Sequence, residues 1–468
     1  MMSKSLIHSY KLGGKNIILD VNSGSVHEAD ELTYDLLAGI TPPFLPELDE
    51  DILNRLTRFY TKEEIIECYD EIKELYKEDL LYSSDIYGDY AAKSVPSPIK
   101  AMCLLIAEDC NLRCEYCFAE GGDYGKGARK LMPLVTAKAA LDFLVSHSYG
   151  RENLEVDFFG GEPLLNWEVV KETVRYGREL EKTYKKNIRF TITTNGILLD
   201  DEKIDFINAE MSNVVLSLDG RKAVHDRMRV YEDGSGSYDE IIGKFKELVK
   251  RRGDKDYYVR GTFTKHNLDF ADDVLAIYNE GFTQISVEPV IADKNLSNCD
   301  YAITEKELPA IFKEYERLAK IIINNHRSDE PRLNFFHFSV DLWNGPCIIK
   351  RMRGCGCGNE YCAVSPDGNI YPCHQFSGVE KYLMGNISQN NFNFEIKNEF
   401  ASANVMTKPD CSDCWAKYFC SGGCDANNFN FTGDIKTPVK LYCELQKKRL
   451  ECAIAIQSAE YNAKSAED

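Results

Sequence analysis

Ala101-Met-Cys-Leu-Leu-Ile-Ala-Glu-Asp-Cys110-Asn-Leu-Arg-Cys114-Glu-Tyr-Cys117 carries an apolar, strand-like run directly into a Cys-x3-Cys-x2-Cys triplet. The run at 101–107 is the first of six. The others lie at 154–159, 188–194, 213–218, 257–264 and 284–290, separated by helical segments such as 134–147, 167–182, 237–250 and 269–280. Strands alternating with helices pair in parallel through crossovers, so this region is predicted to be an α/β open sheet or partial barrel. The triplet then sits at the C-terminal end of the first strand, where βα barrels build their active sites. Three thiolates on one tight loop hold three irons of a 4Fe–4S cluster and leave the fourth iron open to a substrate. The alternative is zinc, which takes four protein ligands in structural sites.

Upstream of the barrel, residues 1–90 read as a small unit. Short strands at 9–12, 16–21 and 24–28 are followed by helices at 30–37, 49–59 and 62–81, with Thr61 as a possible N-cap. Three strands and three helices fit a winged helix-turn-helix plan. Its helices are acidic, which argues against a DNA reader, and an exposed strand edge suits an extended peptide. The polar stretch 84–98 reads as a linker. Downstream, the helix 304–325 closes the barrel region at about 335. From 336 the periodicity weakens, and eleven of the seventeen cysteines lie from Cys347 onward. That texture predicts short pieces held by metal ligation.

Composition bounds the function. Of 468 residues, 44% are hydrophobic and 28% charged, which excludes disordered, collagenous and membrane classes. Lys+Arg 56 against Asp+Glu 75 gives a net charge of -19. So acidic a surface repels phosphate backbones, so no nucleic-acid partner is expected. No apolar stretch approaches the ~18 residues of a membrane span, and the N-terminus lacks a signal-peptide core. A cytoplasmic setting without a membrane partner is therefore expected. Clustered cysteines there read as metal ligands before disulfides.

The triplet Cys110-x3-Cys114-x-Tyr116-Cys117 resembles the motif of radical S-adenosylmethionine enzymes, with an aromatic residue before the last cysteine. Later strand ends support the resemblance, which covers about 100–290. Gly160-Gly161-Glu162-Pro163 resembles the family's GGEP motif, and implies that the backbone at Gly161 and the Glu162 carboxylate hold the methionine amino group. Asn195 in Thr193-Thr194-Asn195-Gly196, and Ser217 and Asp219 in Ser217-Leu-Asp219-Gly220, match positions that touch ribose or the methionyl group. Arg229 is similar to the arginine that pairs with the methionine carboxylate; Arg260 is its rival. The implied chemistry is reductive cleavage of S-adenosylmethionine on the open iron to a 5′-deoxyadenosyl radical that abstracts a substrate hydrogen.

The C-terminal cysteines resemble the SPASM extension, which in its family binds two auxiliary 4Fe–4S clusters, making three in all. The resemblance implies Cys411, Cys414, Cys420 and Cys443 for one cluster. It implies Cys373 and Cys424 for the other, with Cys355 and Cys347 upstream. Cys357 and Cys362 compete there, and three-thiolate ligation stays open. A zinc-ribbon module is the alternative for this region. Cys68, Cys103 and Cys452 read as small core residues.

With the N-terminal unit, the pattern most resembles the SCIFF maturases, which join a cysteine sulfur to the α-carbon of another residue. That implies a Cys-rich precursor peptide with a leader segment, and a one-electron reductant such as ferredoxin or flavodoxin. One rival is an anaerobic sulfatase-maturing, formylglycine-forming enzyme. That family carries an aspartate base where this chain has His374. The other is a non-catalytic iron–sulfur protein that binds peptide or transfers electrons. The expected architecture is a partial (β/α)6 TIM-type barrel over 100–335. It lies between a winged-helix-like recognition domain at 1–90 and a Cys-rich SPASM domain at 336–468.

Overall fold

A computed structural model describes residues 6–88, 97–124, 129–292, 299–342, 348–389 and 391–465. β1 (Ile7–Leu12), β2 (Lys15–Asp20) and β3 (Val26–Ala29) form an antiparallel sheet in that order. Helices Glu31–Leu37, Glu50–Leu56 and Lys62–Lys77 follow. The third starts at a full capping box between Thr61 and Glu64. It ends at Lys77 rather than 81, where Asp79 (φ 59°) and Tyr82 (φ 54°) turn the chain left-handed.

Alternation gives this sheet two buried faces. Ile18 packs with Leu36, Leu56, Ile65 and Ile72 in a core of its own, whereas Tyr10, Leu12, Ile17 and Leu19 join the main core. The second face rests on the C-terminal helix Lys440–Ser465. Tyr10 Oη donates to the Glu451 carbonyl at 2.9 Å, and His8 lies 3.0 Å from the Glu451 carboxylate. His8 also stacks on Trp415, with ring centroids 3.7 Å apart. The unit is therefore fastened to the rest of the chain. The stretch 84–98 is not simply a linker: Tyr418 Oη donates to Asp85 at 2.7 Å, while residues 89–96 lie outside the described residues.

β4 (Ala101–Glu108) is buried along all eight residues. β5 (Lys130–Leu131) is a short antiparallel partner at its end. The barrel strands then follow in sequence order, all parallel. They are β6 (Asn153–Gly160), β7 (Asn187–Thr194), β8 (Asn213–Ser217), β9 (Tyr258–Phe263) and β10 (Gln284–Pro289). These are the six expected runs. β11 (Asn334–Phe335) adds a short parallel strand beyond β10. Helices Leu134–His147, Trp167–Tyr184, Asp201–Glu210, Tyr238–Arg252 and Phe270–Asn279 separate the strands, as in an α/β partial barrel.

The Cys-rich region is more regular than its composition suggests. β12 (Tyr361–Val364) pairs in parallel with the free edge of β4, and β13 (Asn369–Tyr371), β14 (Gly385–Asn386) and β15 (Asn391–Phe392) continue as an antiparallel meander. Both regions thus share one sheet. The last 26-residue helix is also absent from the sequence reading. Leu445, Cys452, Ile456 and Ala459 on it are buried, and Lys448 and Glu460 reach Glu316 (2.6 Å) and His326 (2.5 Å) on helix Leu308–Asn325 and just past its end. Among the described residues, no helix is long and apolar enough to cross a membrane.

Lys397 ties these layers together. Its buried ammonium donates to the Ser97 carbonyl at 2.6 Å and the Asn359 carbonyl at 2.9 Å. Lys397→Met leaves one buried and one partly buried acceptor without that donor. It should destabilise the protein by about 2 kcal/mol, read as a lower denaturation midpoint; an unchanged midpoint would remove this residue from the fastening.

Candidate active site

The triplet loop is held from three sides. Arg113 N donates to the Val230 carbonyl at 2.7 Å and Glu115 N to the Met228 carbonyl at 2.9 Å. Arg113 Nη1 folds back onto the Cys110 and Leu112 carbonyls at 2.5 and 2.8 Å. Leu112 is buried beneath. From β6, Gly161 N and Glu162 N donate to the Ala107 and Asp109 carbonyls, both at 2.8 Å. The approach is so close that a Cβ on Gly161 would stand 2.0 Å from the Asp109 carbonyl oxygen. That explains the glycine in Gly160-Gly161-Glu162-Pro163.

Two buried carboxylates organise the strand ends above this loop. Glu162 accepts from Leu164 N (3.0 Å), Thr194 Oγ1 (2.9 Å) and Asn195 N (2.8 Å), so it clamps the end of β7 to the end of β6. Burial pushes its carboxyl up to about 7 against the pull of those donors. Asn195 passes the link onward, with Nδ2 2.8 Å from Asn111 Oδ1 and 3.6 Å from Cys110 Sγ. Asp219 is a second hub. It accepts from Tyr116 Oη at 2.6 Å, Arg229 Nε at 3.0 Å and Thr262 N at 3.0 Å. The Arg229 guanidinium lies 5.6 Å from the Tyr116 ring centroid. Its rival Arg260 pairs with Glu288 at 2.7 Å and is half exposed. Ser217 ends β8, half-buried and in register with Arg260. The structure therefore joins Cys110 to Asn195 and Glu162, and Tyr116 to Asp219 and Arg229.

The C-terminal cysteines form two further sets. Cys411, Cys414, Cys420 and Cys443 line a 630 Å³ cavity with Gly422, Leu308 and Phe312. In the other set, Cys357 hydrogen-bonds Cys373, and Cys355 and Cys424 are close enough to Cys373 for their charges to interact. Cys357, one of the two competitors named for this set from the sequence, is thus brought to the site. Cys347 lies outside the described residues. Gly354, Gly356 and Gly358 all have positive φ, which lets this loop double back. Cys68, Cys103 and Cys452 are buried in the core as expected.

The chemistry of these donor sets tests what they can hold. All sixteen described cysteines are unbridged. Burial pushes Cys110, Cys114, Cys411 and Cys424 up to about 12, and Cys355 and Cys443 up to about 11; neighbouring thiols add to the shift in each case, while Arg229 opposes it at Cys114 and Lys408 at Cys411. Thiolates this close repel one another, so each set is ionised only around a compensating cation. Iron–sulfur clusters, which are carried by thiolates, meet that requirement.

A 350 Å³ cavity opens inside the barrel below the triplet, lined among others by Cys103, Asp157, Phe159, Thr191, Arg260 and His374. Burial, and then Glu155, push the Asp157 carboxyl up to about 7. His374 is drawn down to about 4, chiefly by burial, and its buried Nδ1 has no hydrogen-bond partner among the described residues. Its ring lies 4.7 Å from Phe159 and 5.6 Å from Phe118, the residue after Cys117. Asn111 is the neighbour that sequence reasoning missed; its only signal is adjacency to Cys110.

Gly161→Ala should cost about 1–3 kcal/mol, the range for forcing atoms into a packed site, because its Cβ meets backbone. Gly150→Ala has nothing within 4 Å and should be neutral. Equal melting temperatures for the two variants would contradict this account of the loop.

Comparison with known proteins identifies the arrangement. Residues 104–274 match the radical SAM superfamily, and residues 355–415 match SPASM, an iron–sulfur cluster-binding domain. A cysteine-type anaerobic sulfatase-maturating enzyme of Clostridium novyi is 24% identical, covering 75% of this chain and 95% of its own. An uncharacterized protein of Methanocaldococcus jannaschii is 31% identical, covering 63% and 90%. Among solved structures, anSMEcpe with bound AdoMet matches with a TM-score of 0.64 at 20% identity, over 78% of this chain and 100% of that one. Streptococcus suis SuiB bound to precursor peptide SuiA matches with a TM-score of 0.51 at 15% identity, over 92% and 97%. The radical SAM domain binds a 4Fe–4S cluster and S-adenosylmethionine, and the SPASM domain binds additional iron–sulfur clusters. The chain belongs to the radical SAM superfamily, with an SPASM domain downstream of its barrel.

Proposed function

We propose that this enzyme installs thioether bridges, from a cysteine sulfur to an α-carbon, in a ribosomally made Cys-rich precursor peptide. The observation that carries the reading is the three-stranded N-terminal sheet, which presents β1 and β3 each paired on one side only among the described residues. Such an edge suits strand addition by a leader segment. The SuiB structure with its precursor peptide covers 92% of this chain and supports a peptide partner. His374, at the position of the sulfatase-maturing family's aspartate, supports a reaction other than formylglycine formation.

Within this reading, Cys110, Cys114 and Cys117 hold the first cluster. The backbone at Gly161, with Asn195, Ser217, Asp219 and Arg229, surrounds S-adenosylmethionine. Arg229 is preferred to Arg260 because it stands beside Tyr116 and acts on Cys114. Glu162 accepts three hydrogen bonds within the protein, which hold Asn195 against the triplet and leave acceptor capacity for the methionine amino group. Cys411, Cys414, Cys420 and Cys443 hold one auxiliary cluster. Cys355, Cys373 and Cys424 hold the other, with Cys347 or Cys357 as the fourth candidate. Bound there, these groups supply the 5′-deoxyadenosyl radical and take up the electron left when sulfur and carbon join. The protein positions the peptide in the barrel cavity and keeps water out. A ferredoxin or flavodoxin in the cytoplasm of an anaerobe suits the supply of reducing electrons.

Replacing Cys110, Cys114 and Cys117 together with Ala should remove about four irons per chain and all cleavage of S-adenosylmethionine. Retained cleavage would reject the site. For the product, each bridge removes two hydrogens, so the peptide should be about 2 Da lighter, and reductant should not restore its thiol. Deuterium at the acceptor α-carbon should appear in 5′-deoxyadenosine, as expected for attack at near-contact distance, about 3–3.5 Å. Deuterium transfer from a β-carbon only, with an aldehyde-reactive product, would favour the sulfatase-type reaction instead.

A further inference from the structure

Between the two SPASM cysteine sets lies a buried ion pair. Lys408 Nζ is 2.6 Å from Asp425 Oδ1, and the two side chains are 2% and 10% exposed. The same ammonium donates to the Gly422 carbonyl at 2.8 Å. Gly422, at φ +86°, lines the cavity that holds Cys411, Cys414, Cys420 and Cys443. The Lys408 carbonyl accepts from Cys411 N at 3.0 Å. Asp425 directly follows Cys424 and begins helix Asp425–Thr432. The cation acts on Cys411 and Cys420. The anion acts on Cys355 and Cys357. Lys447 and Glu444 also act on Cys443, with opposite signs.

The pair is therefore an oriented charge separation, positive toward one set and negative toward the other. Buried pairs of this kind contribute little net stability compared with apolar residues, so stability does not explain its presence here. We propose that Lys408 and Asp425 are positioning residues that make the cluster held by Cys411, Cys414, Cys420 and Cys443 more readily reduced than the one held by Cys373 and Cys424. The inference rests on reading both sets as 4Fe–4S ligands. Reduction adds one negative charge, which a fixed cation stabilises and a fixed anion opposes. One electron then passes from the Cys373 cluster, which is oxidised, to the Cys411 cluster, which is reduced, and no proton moves.

The test is an anaerobic redox titration of the full-length, cluster-loaded protein followed by electron paramagnetic resonance. A Cys414→Ala/Cys443→Ala variant assigns the signals by losing one of them. In the wild type, the Cys411 cluster should have the higher midpoint potential. The variant Lys408→Gln/Asp425→Asn stays neutral and keeps hydrogen-bonding groups. It should narrow the gap by about tenfold in the one-electron equilibrium, about 59 mV. An unchanged gap in the loaded variant, or equal or reversed potentials in the wild type, would overturn the proposal. If the double variant does not load, Asp425→Asn alone keeps Lys408 on the Gly422 carbonyl and must raise the potential of the Cys373 cluster; no rise overturns it too. A wild-type protein holding zinc, with only about four irons, would instead reject the cluster reading on which this rests.

Discussion

Thiolates packed together in a protein interior repel one another, and the structure is arranged around that conflict. Burial alone pushes most of these thiols well above their ordinary range. They are gathered nonetheless, in three places, by backbone hydrogen bonds and glycine turns. Around the triplet, the end of β6 is pressed so tightly against the loop that only glycine fits at 161. Such sites are ionised and stable together only when a cationic cluster fills them.

The same constraint ties the domains to one another. β12 grows directly onto β4, the strand that leads into the triplet, so the auxiliary sets are carried on the sheet that carries the active-site loop. Lys397 and the C-terminal helix fasten the layers, and the N-terminal sheet lies on that helix through Tyr10 and His8. A peptide docked on the N-terminal edge would thus be held by a unit fastened to the C-terminal helix. That arrangement suits a reaction in which a flexible substrate must meet a short-lived radical.

Much of this was legible in the chain because the signals are local. The six barrel runs are apolar and bounded by turns, and each forms a strand within a residue or two. The Cys110–Cys117 spacing, the Thr61–Glu64 capping box and the glycines at 160 and 161 depend on neighbours in sequence. The pairing of β12 with β4 joins residues some 260 positions apart and leaves no local mark. Lys408 and Asp425 look like ordinary surface charges until the fold buries them against each other. The final helix was readable from Leu445, Cys452, Ile456 and Ala459, but the density of cysteines suggested short, irregular pieces. The choice between Cys355 and Cys357 turns on a loop whose spacing to Gly368 fits both; the fold brings both to Cys373.

The central claim is that three clustered thiolate sets each hold an iron–sulfur cluster. Anomalous diffraction at the iron edge, from crystals of protein purified without oxygen, tests it most directly. The account predicts three separate iron clusters: one on Cys110, Cys114 and Cys117, one beside Cys373 and Cys424, and one in the cavity lined by Cys411, Cys414, Cys420 and Cys443. A zinc-edge signal at the two C-terminal sets, or iron at the triplet alone, would contradict it.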